Sequence, residues 1–250
     1  ICACLVGSEM CIRDSFTSTF FMMLNYYSIK SSMGIAKERH ETFYQFDQSG
    51  YADGTYFDKY VEKNWTPKTE KVAKAFAGFD VPTEQDWAQL KEDVAKYGMY
   101  NAYRHAIAPT GSISYVNDAT ASLLPIVNKI EERQEGMIGK VYYPAPGLSN
   151  ETMPYYVSAY DTDMRRVIDV YAAAQEHIDQ GMALTLFMRS TLPEHLYEWK
   201  NNRTNKMTTR DLTILRNYAF NKGIKSLYYV RTFTDDNQES GVNECESCSI

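Results

Sequence analysis

Thr208-Thr209-Arg210-Asp211-Leu212-Thr213-Ile214-Leu215-Arg216-Asn217-Tyr218-Ala219-Phe220-Asn221-Lys222-Gly223-Ile224-Lys225-Ser226-Leu227-Tyr228-Tyr229-Val230-Arg231 carries a helix and a strand in one run. Thr208 and Asp211 have the hydroxyl-then-carboxylate spacing of a capping box, in which each side chain bonds the other's backbone N–H. Leu212, Leu215, Tyr218 and Ala219 then recur at helical spacing as far as Asn221. Gly223 closes the helix, and residues 224–231 read as a strand. Upstream, residues 182–188 form a short apolar run of the kind a buried strand needs. Strand, helix and strand in that order imply a parallel pair joined by a right-handed crossover, so the fold class is α/β. No internal repeat or low-complexity segment interrupts the chain.

Two features at the far end of this stretch bear on chemistry. Tyr228 and Tyr229 are adjacent on the strand, in a chain with 20 tyrosines, and packing is the ordinary use of a strand tyrosine. Successive side chains on an ideal strand point to opposite faces, so neighbouring rings meet only where the backbone leaves that geometry. Rings that do meet form a relay, because a neutral phenol with a pKa of about 10 releases an electron and a proton together but does not ionise alone at pH 7. Beyond the polar segment Asp235-Asp236-Asn237-Gln238-Glu239-Ser240-Gly241, which has nothing to bury, come Cys245 and Cys248. Two thiols at that spacing close a small disulfide and make a redox couple. The same spacing serves as half a zinc site, or occurs in a polar terminus by chance.

The chain has 250 residues, enough for one large domain or two small ones. A net charge of −6 with 44% hydrophobic residues argues against a nucleic-acid surface. No apolar run approaches the ~18 residues of a spanning helix, so neither nucleic acid nor a membrane is expected as a partner. Five cysteines in a chain this long do not make a disulfide scaffold, and a cytoplasmic location is expected. Residues 1–15 hold three of the five, do not start with Met, and are too interrupted by charge for a signal peptide. They are set aside as a non-native leader, leaving 16–232 as the folded body and 233–250 as a flexible redox tail. A zinc site from Cys2, Cys4, Cys245 and Cys248 would need that leader to be native, and no metal site is expected.

Within the body, Phe20, Phe21, Met23, Leu24, Tyr27, Ile29 and Met33 recur at helical spacing and predict a long helix over 16–40. Residues 43–60 read as an aromatic connector with turn signals at Ser49-Gly50 and Asp53-Gly54. Thr83 and Asp86 repeat the capping-box spacing and open a helix that buries Trp87, Leu90, Val94 and Tyr97 and stops at Gly98. Residues 124–136 are charged and mixed, and 141–147 are extended ahead of their prolines. A further helix runs over 162–178. Ahead of these, after the helix that stops at Gly98, Ala108-Pro109-Thr110-Gly111-Ser112-Ile113-Ser114 is a loop of Pro, Gly and hydroxyl residues that can turn consecutive N–H groups toward an anion. It lacks the Gly-Lys-Ser/Thr ending of a Walker loop and also reads as an ordinary tight turn. His40, His105, His177 and His195 have no ligand spacing. The carboxylate pairs Glu131-Glu132 and Asp161 with Asp163 read as solvated faces and caps.

The Ala-Pro-Thr-Gly-Ser-Ile-Ser loop, Ile178-Asp179-Gln180-Gly181 with Leu184-Thr185-Leu186-Phe187, the Gly-Ile-Lys-Ser-Leu-Tyr-Tyr-Val-Arg strand and the terminal Cys-Glu-Ser-Cys pair occur in fixed order. Together they closely resemble the C-terminal part of the large (alpha) subunit of class Ib ribonucleotide reductase, from about residue 16 onward. The resemblance implies the later strands and helices of a ten-stranded α/β barrel and a share in reducing ribonucleoside diphosphates to their 2′-deoxy forms by radical chemistry. It implies that Pro109, Thr110, Gly111, Ser112 and Ile113 hold the substrate phosphates. Tyr228 and Tyr229 match a stacked pair that passes the radical inward from a small (beta) subunit, which carries the metal-tyrosyl radical. Cys245 and Cys248 match tail thiols that re-reduce the active-site disulfide and are reduced in turn by a glutaredoxin-like or thioredoxin-like protein. No cofactor is expected on this chain; nucleotide effectors belong to an N-terminal region outside it, and the complete large subunit is expected to be a homodimer. The family's radical cysteine lies in an Asn-x-Cys-x-Glu pattern that these 250 residues do not contain, so the polypeptide by itself is expected not to turn over substrate. Two other readings stand beside this one: a nucleotide-phosphate-binding domain with incidental thiols, and a zinc-clipped interaction domain.

Overall fold

The computed structural model describes residues 10–137, 139–196, 199–200 and 204–233. The chain divides into two compact units. The described part of one, residues 10–106 and 172–181, is helical; that of the other, residues 107–171 and 182–233, carries the strands. Among the described residues no helix is long and apolar enough to cross a membrane.

The helical unit is built on α1 (Met10–Arg39), followed by α2 (Thr55–Val61), α3 (Glu70–Ala75) and α4 (Glu84–Tyr97). The expected helix over 16–40 starts earlier, at Met10, and its first turns are packed: Arg13 and Ser15 are buried, and the Ser15 hydroxyl accepts from the Lys68 amide at 2.9 Å. The inward stripe also differs from the expected one. Phe21 and Ile29 are buried as expected, but Met22 and Tyr26 are buried with them, whereas Phe20, Leu24 and Tyr27 are exposed. Apolar residues occur on every side of this helix, so periodicity alone does not select a face. The face is chosen by the partners, because Met22, Tyr26 and Ile29 share a core with Phe57, Tyr60, Trp87, Leu90, Val94 and Met99. Tyr60 stacks flat on Trp87 at 3.8 Å and 8°. Helix α4 has both halves of its capping box, the Thr83 side chain accepting from Asp86 N–H and the Asp86 carboxylate from Thr83 N–H. Such a cap is worth ~1 kcal/mol, and burial of Trp87, Leu90 and Val94 at ~1.5–3 kcal/mol each outweighs it. Two short helices, α2 and α3, are absent from the sequence reading; at seven and six residues they offer too little periodicity to see.

His177 is the buried polar centre of this unit. Its Nδ1 meets the Tyr60 hydroxyl at 2.9 Å and its Nε2 the Ser18 hydroxyl at 3.2 Å. Burial, and then the charges of Lys59 and Lys63, push its pKa down from the ordinary value to about 3. A base whose pKa falls on folding binds its proton more readily in the unfolded chain, so stability is full above the unfolded value of about 6.5 and is lost as pH falls toward 3. The slope reaches ~1.4 kcal/mol per pH unit. Urea midpoints recorded from pH 7 to pH 5 are therefore expected to fall more steeply for the wild type than for His177→Gln. Parallel curves would remove the imidazole from the account.

The strand-bearing unit contains α5 (Gly111–Val116), an antiparallel hairpin β1 (Ile130–Glu135) and β2 (Gly139–Pro144), α6 (Met164–Gln175), whose last turn is grouped with the helical unit, then β3 (Thr185–Arg189), α7 (Thr209–Asn221) and β4 (Tyr229–Phe233). β3 and β4 pair in parallel, from Thr185 opposite Tyr229 to Arg189 opposite Phe233. The strand, helix and parallel strand expected from residues 182–231 are all present. β4 starts later than residue 224 because the chain first completes a helix stop. Ile224 N–H bonds the Ala219 carbonyl, Gly223 N–H bonds the Phe220 carbonyl, and Gly223 takes the positive φ of 82° that this motif requires. Helix α7 carries the second capping box, Thr208 with Asp211. The two sheets among the described residues have two strands each and close no barrel.

Candidate functional site

Residues 182–189 are the buried centre of the strand-bearing unit: Leu184, Leu186, Phe187 and Met188 are all buried. A strand apolar on both faces belongs to a covered parallel arrangement, and this segment is flanked on both sides. On one flank Ile107 forms a parallel bridge with Met182, and Ala183 N–H bonds the Ile107 carbonyl at 2.8 Å. On the other, Tyr228 N–H bonds the Leu184 carbonyl at 2.8 Å and β4 follows. The hydroxyl-rich loop thus leaves from one neighbour of this strand, and the tyrosine pair stands at the head of the other.

Tyr228 and Tyr229 touch. Their ring centroids are 4.1 Å apart with the planes inclined at 62°, and each side chain is about half exposed, 45% and 43%. The geometry is edge to face rather than the parallel stack the resemblance implies. An inclined pair suits the quadrupoles of two phenols. Tyr228 lies one residue ahead of β4, at the edge of the regular ladder, where the strict alternation of side chains is not imposed on both residues of the pair.

Pro109 is exposed, Thr110 and Gly111 half-buried, and Ser112 and Ile113 exposed, at the start of α5. The first N–H to close a helical bond is that of Ser114, onto the Thr110 carbonyl at 3.1 Å. The amides of Gly111, Ser112 and Ile113 stand ahead of it, where helical N–H groups have no partner within the helix. Ser114 is buried and its hydroxyl donates back to the Gly111 carbonyl at 2.6 Å, which makes it structural. Thr110 is held differently: its Oγ1 accepts from Ser122 N–H at 2.9 Å, leaving its own proton to donate outward. The Ser122 hydroxyl donates to the Ala108 carbonyl at 2.6 Å, so Ser122 grips the loop twice. Sequence reading missed Ser122, because its grip depends on a positive φ of 52° and on a fold-back of twelve residues.

The Ile178–Gly181 motif also has a visible use within the helical unit. Both Asp179 carboxylate oxygens accept backbone N–H groups, from Arg104 at 2.8 Å and His105 at 2.9 Å. The Arg104 guanidinium lies 3.5 Å from the same carboxylate and donates to Tyr51, Asn25 and Ser28. Cys245 and Cys248 lie outside the described residues, as do Cys2 and Cys4.

The family description "Ribonucleotide reductase, barrel domain" matches residues 13–230. The chain belongs to the ribonucleotide reductase barrel-domain family. It is 49% identical over 238 residues to the ribonucleoside-diphosphate reductase subunit alpha of Bacillus subtilis (strain 168), covering 95% of this chain and 31% of that protein. It is 39% identical over 246 residues to the subunit alpha of Mycoplasma pneumoniae, covering 94% of this chain and 32% of the relative. To that of Treponema pallidum it is 30% identical over 237 residues, covering 94% and 23%. The chain therefore spans about a third or less of the length of these reductase subunits. With two strands in each sheet, its described residues close no barrel by themselves.

Proposed function

We propose that this chain is the C-terminal part of the catalytic barrel of a class Ib ribonucleotide reductase large subunit, acting in the reduction of ribonucleoside diphosphates to 2′-deoxyribonucleoside diphosphates in the cytoplasm. The observation that carries this reading is the contact between Tyr228 and Tyr229 at the head of β4, across one buried strand segment from the loop that starts at Pro109. Identity of 49% to a reductase alpha subunit supports it.

In this reading Pro109, Thr110, Gly111, Ser112 and Ile113 receive the substrate phosphates. The Gly111, Ser112 and Ile113 amides and the Thr110 hydroxyl act as donors; the Thr110 oxygen accepts from Ser122 N–H, and its own proton is given to the phosphate. α5 has six residues, too few for much macrodipole, so the donors matter more than the field. Tyr228 and Tyr229 pass an electron and a proton together between their phenols. The Cys245 and Cys248 thiols give two electrons to an active-site disulfide by thiol exchange, become a disulfide, and are reduced by a glutaredoxin-like or thioredoxin-like protein. The metal-tyrosyl radical would be supplied by a small beta subunit, and effectors would bind parts of the large subunit outside this chain.

The test converts Cys245 and Cys248 to Ser in the complete large subunit assembled with its small subunit. Turnover driven by an external protein dithiol is expected to be lost while CDP affinity is kept. Undiminished turnover with the protein reductant would make the two thiols incidental and leave this chain only the binding of the substrate phosphates. The present chain without the rest of the subunit is expected to reduce no CDP.

A further inference from the structure

Tyr115 stands four residues past Gly111 on α5, and the hairpin closes three side chains around it. Its hydroxyl donates to the Glu131 carboxylate. The Arg133 guanidinium lies over its ring, 4.4 Å from the centre, and the Tyr143 ring is 4.5 Å away at 47°. The three come from one face of the hairpin, because Glu131 and Arg133 are two apart on β1 and Tyr143 is the cross-strand partner of Glu131. That face is half-buried, while Glu132, Gln134, Lys140 and Tyr142 on the other face are exposed. Burial, and then the bond to Glu131, push the Tyr115 phenol well above its ordinary pKa, so it remains a protonated donor. The carboxylate in turn has that proton and, at 3.9 Å, the Arg133 guanidinium beside it.

The hairpin's inward face holds Val141 besides a carboxylate, a guanidinium and a phenol, and these last three converge on one side chain of a six-residue helix. Such a helix is marginal alone, so its place is set by whatever grips it. Ser122 grips the front, at Thr110 and Ala108. The hairpin grips the back, at Tyr115.

We propose that the Glu131, Arg133 and Tyr143 clasp on Tyr115 is a positioning device for the loop of residues 109–113, and that it sets affinity for the diphosphate of the substrate rather than for its nucleoside. This rests on the assignment of that loop to substrate phosphates made under Proposed function. Tyr115 acts through the loop and is a positioning residue. The hydrogen bond it makes to a charged acceptor is the strongest single contact in the grip.

The test titrates CDP and cytidine separately into the complete large subunit and into its Tyr115→Phe, Glu131→Ala and Glu131→Gln variants, with circular dichroism to confirm folding. Tyr115→Phe and Glu131→Ala are expected to weaken CDP binding about tenfold and leave cytidine binding unchanged. Glu131→Gln, whose amide oxygen still accepts the phenol proton, is expected to restore most of the CDP affinity. Wild-type CDP affinity in both Tyr115→Phe and Glu131→Ala would overturn the clasp while leaving the loop assignment standing. So would an equal loss for cytidine and CDP, which marks a general structural role. A wild-type subunit that binds cytidine and CDP equally would overturn the loop assignment itself, and the clasp with it. Glu131 is half-exposed on a strand, so its variants are expected to keep the fold and to carry the test where Tyr115→Phe does not.

Discussion

Tyr229→Phe in the complete two-subunit enzyme is expected to cut deoxyribonucleotide formation by more than about a thousandfold, equivalent to ~4 kcal/mol in the barrier, with little change in substrate affinity. The substitution removes one oxygen and one exchangeable proton and keeps the ring. Packing therefore survives: the two rings still sit at van der Waals distance, and the position is 43% exposed. Stability should move by no more than ~0.5 kcal/mol. What disappears is the phenolic O–H, without which the ring at this position has no proton to release with its electron. Tyr228→Phe should behave alike, because a relay fails at either member. Steady-state turnover, a thermal midpoint and a CDP binding constant, all on the same preparation, separate chemistry from packing. Activity within tenfold of wild type in both variants would mean the electron does not pass through these rings.

Asp211→Ala is expected to destabilise the fold by ~3–5 kcal/mol, the largest stability effect of any single substitution considered. The Lys200 side chain is 0% exposed and the Asp211 side chain 3%, with Nζ and Oδ2 3.1 Å apart. Lys200 Nζ also donates to the Lys206 carbonyl, and the same aspartate accepts from Thr208 N–H and hydroxyl at 2.9 and 2.7 Å. Removing the carboxylate leaves an ammonium buried without its counter-charge and strips the N-terminus of α7, which precedes the tyrosine strand. For the Asp211 pKa, burial acts upward, but the Thr208 bonds and Lys200 outweigh it and hold the carboxyl below its ordinary value. A carboxyl depressed in the fold contributes stability that is present above its unfolded pKa of about 3.9 and lost as pH falls through the folded value. The double variant Lys200→Met with Asp211→Leu should recover much of the loss, since it removes both charges at similar volume. Urea unfolding at pH 7 of the single and double variants checks both statements; a single variant within 1 kcal/mol of wild type, on the order of an exposed pair, would show that Lys200 reaches water.

Much of this was readable one residue at a time. Both capping boxes, at Thr83 with Asp86 and Thr208 with Asp211, are local chemistry over four residues, and both are in place. Helix α4 and its buried Trp87, Leu90 and Val94 followed from spacing. Of the hairpin, the β2 side was readable as the extended residues 141–147; β1 was not, because its inward face carries Glu131 and Arg133 and so gives no apolar alternation. His177 looked like a scattered histidine; its burial comes from Ser18 and Tyr60, which lie 159 and 117 residues away along the chain.

The sequence by itself determined the strand, helix and parallel strand of residues 182–231, the family, and which residue types are available for chemistry, because caps, periodicity and motif order are properties of neighbours along the chain. Only the tertiary structure decided that Tyr228 and Tyr229 meet edge to face, that α1 turns Met22 rather than Phe20 inward, and that Ser122 and Tyr115 hold the two ends of one loop. Those outcomes depend on where distant segments come to rest against one another, and an apolar or polar side chain carries no record of its partner until the chain has closed around it.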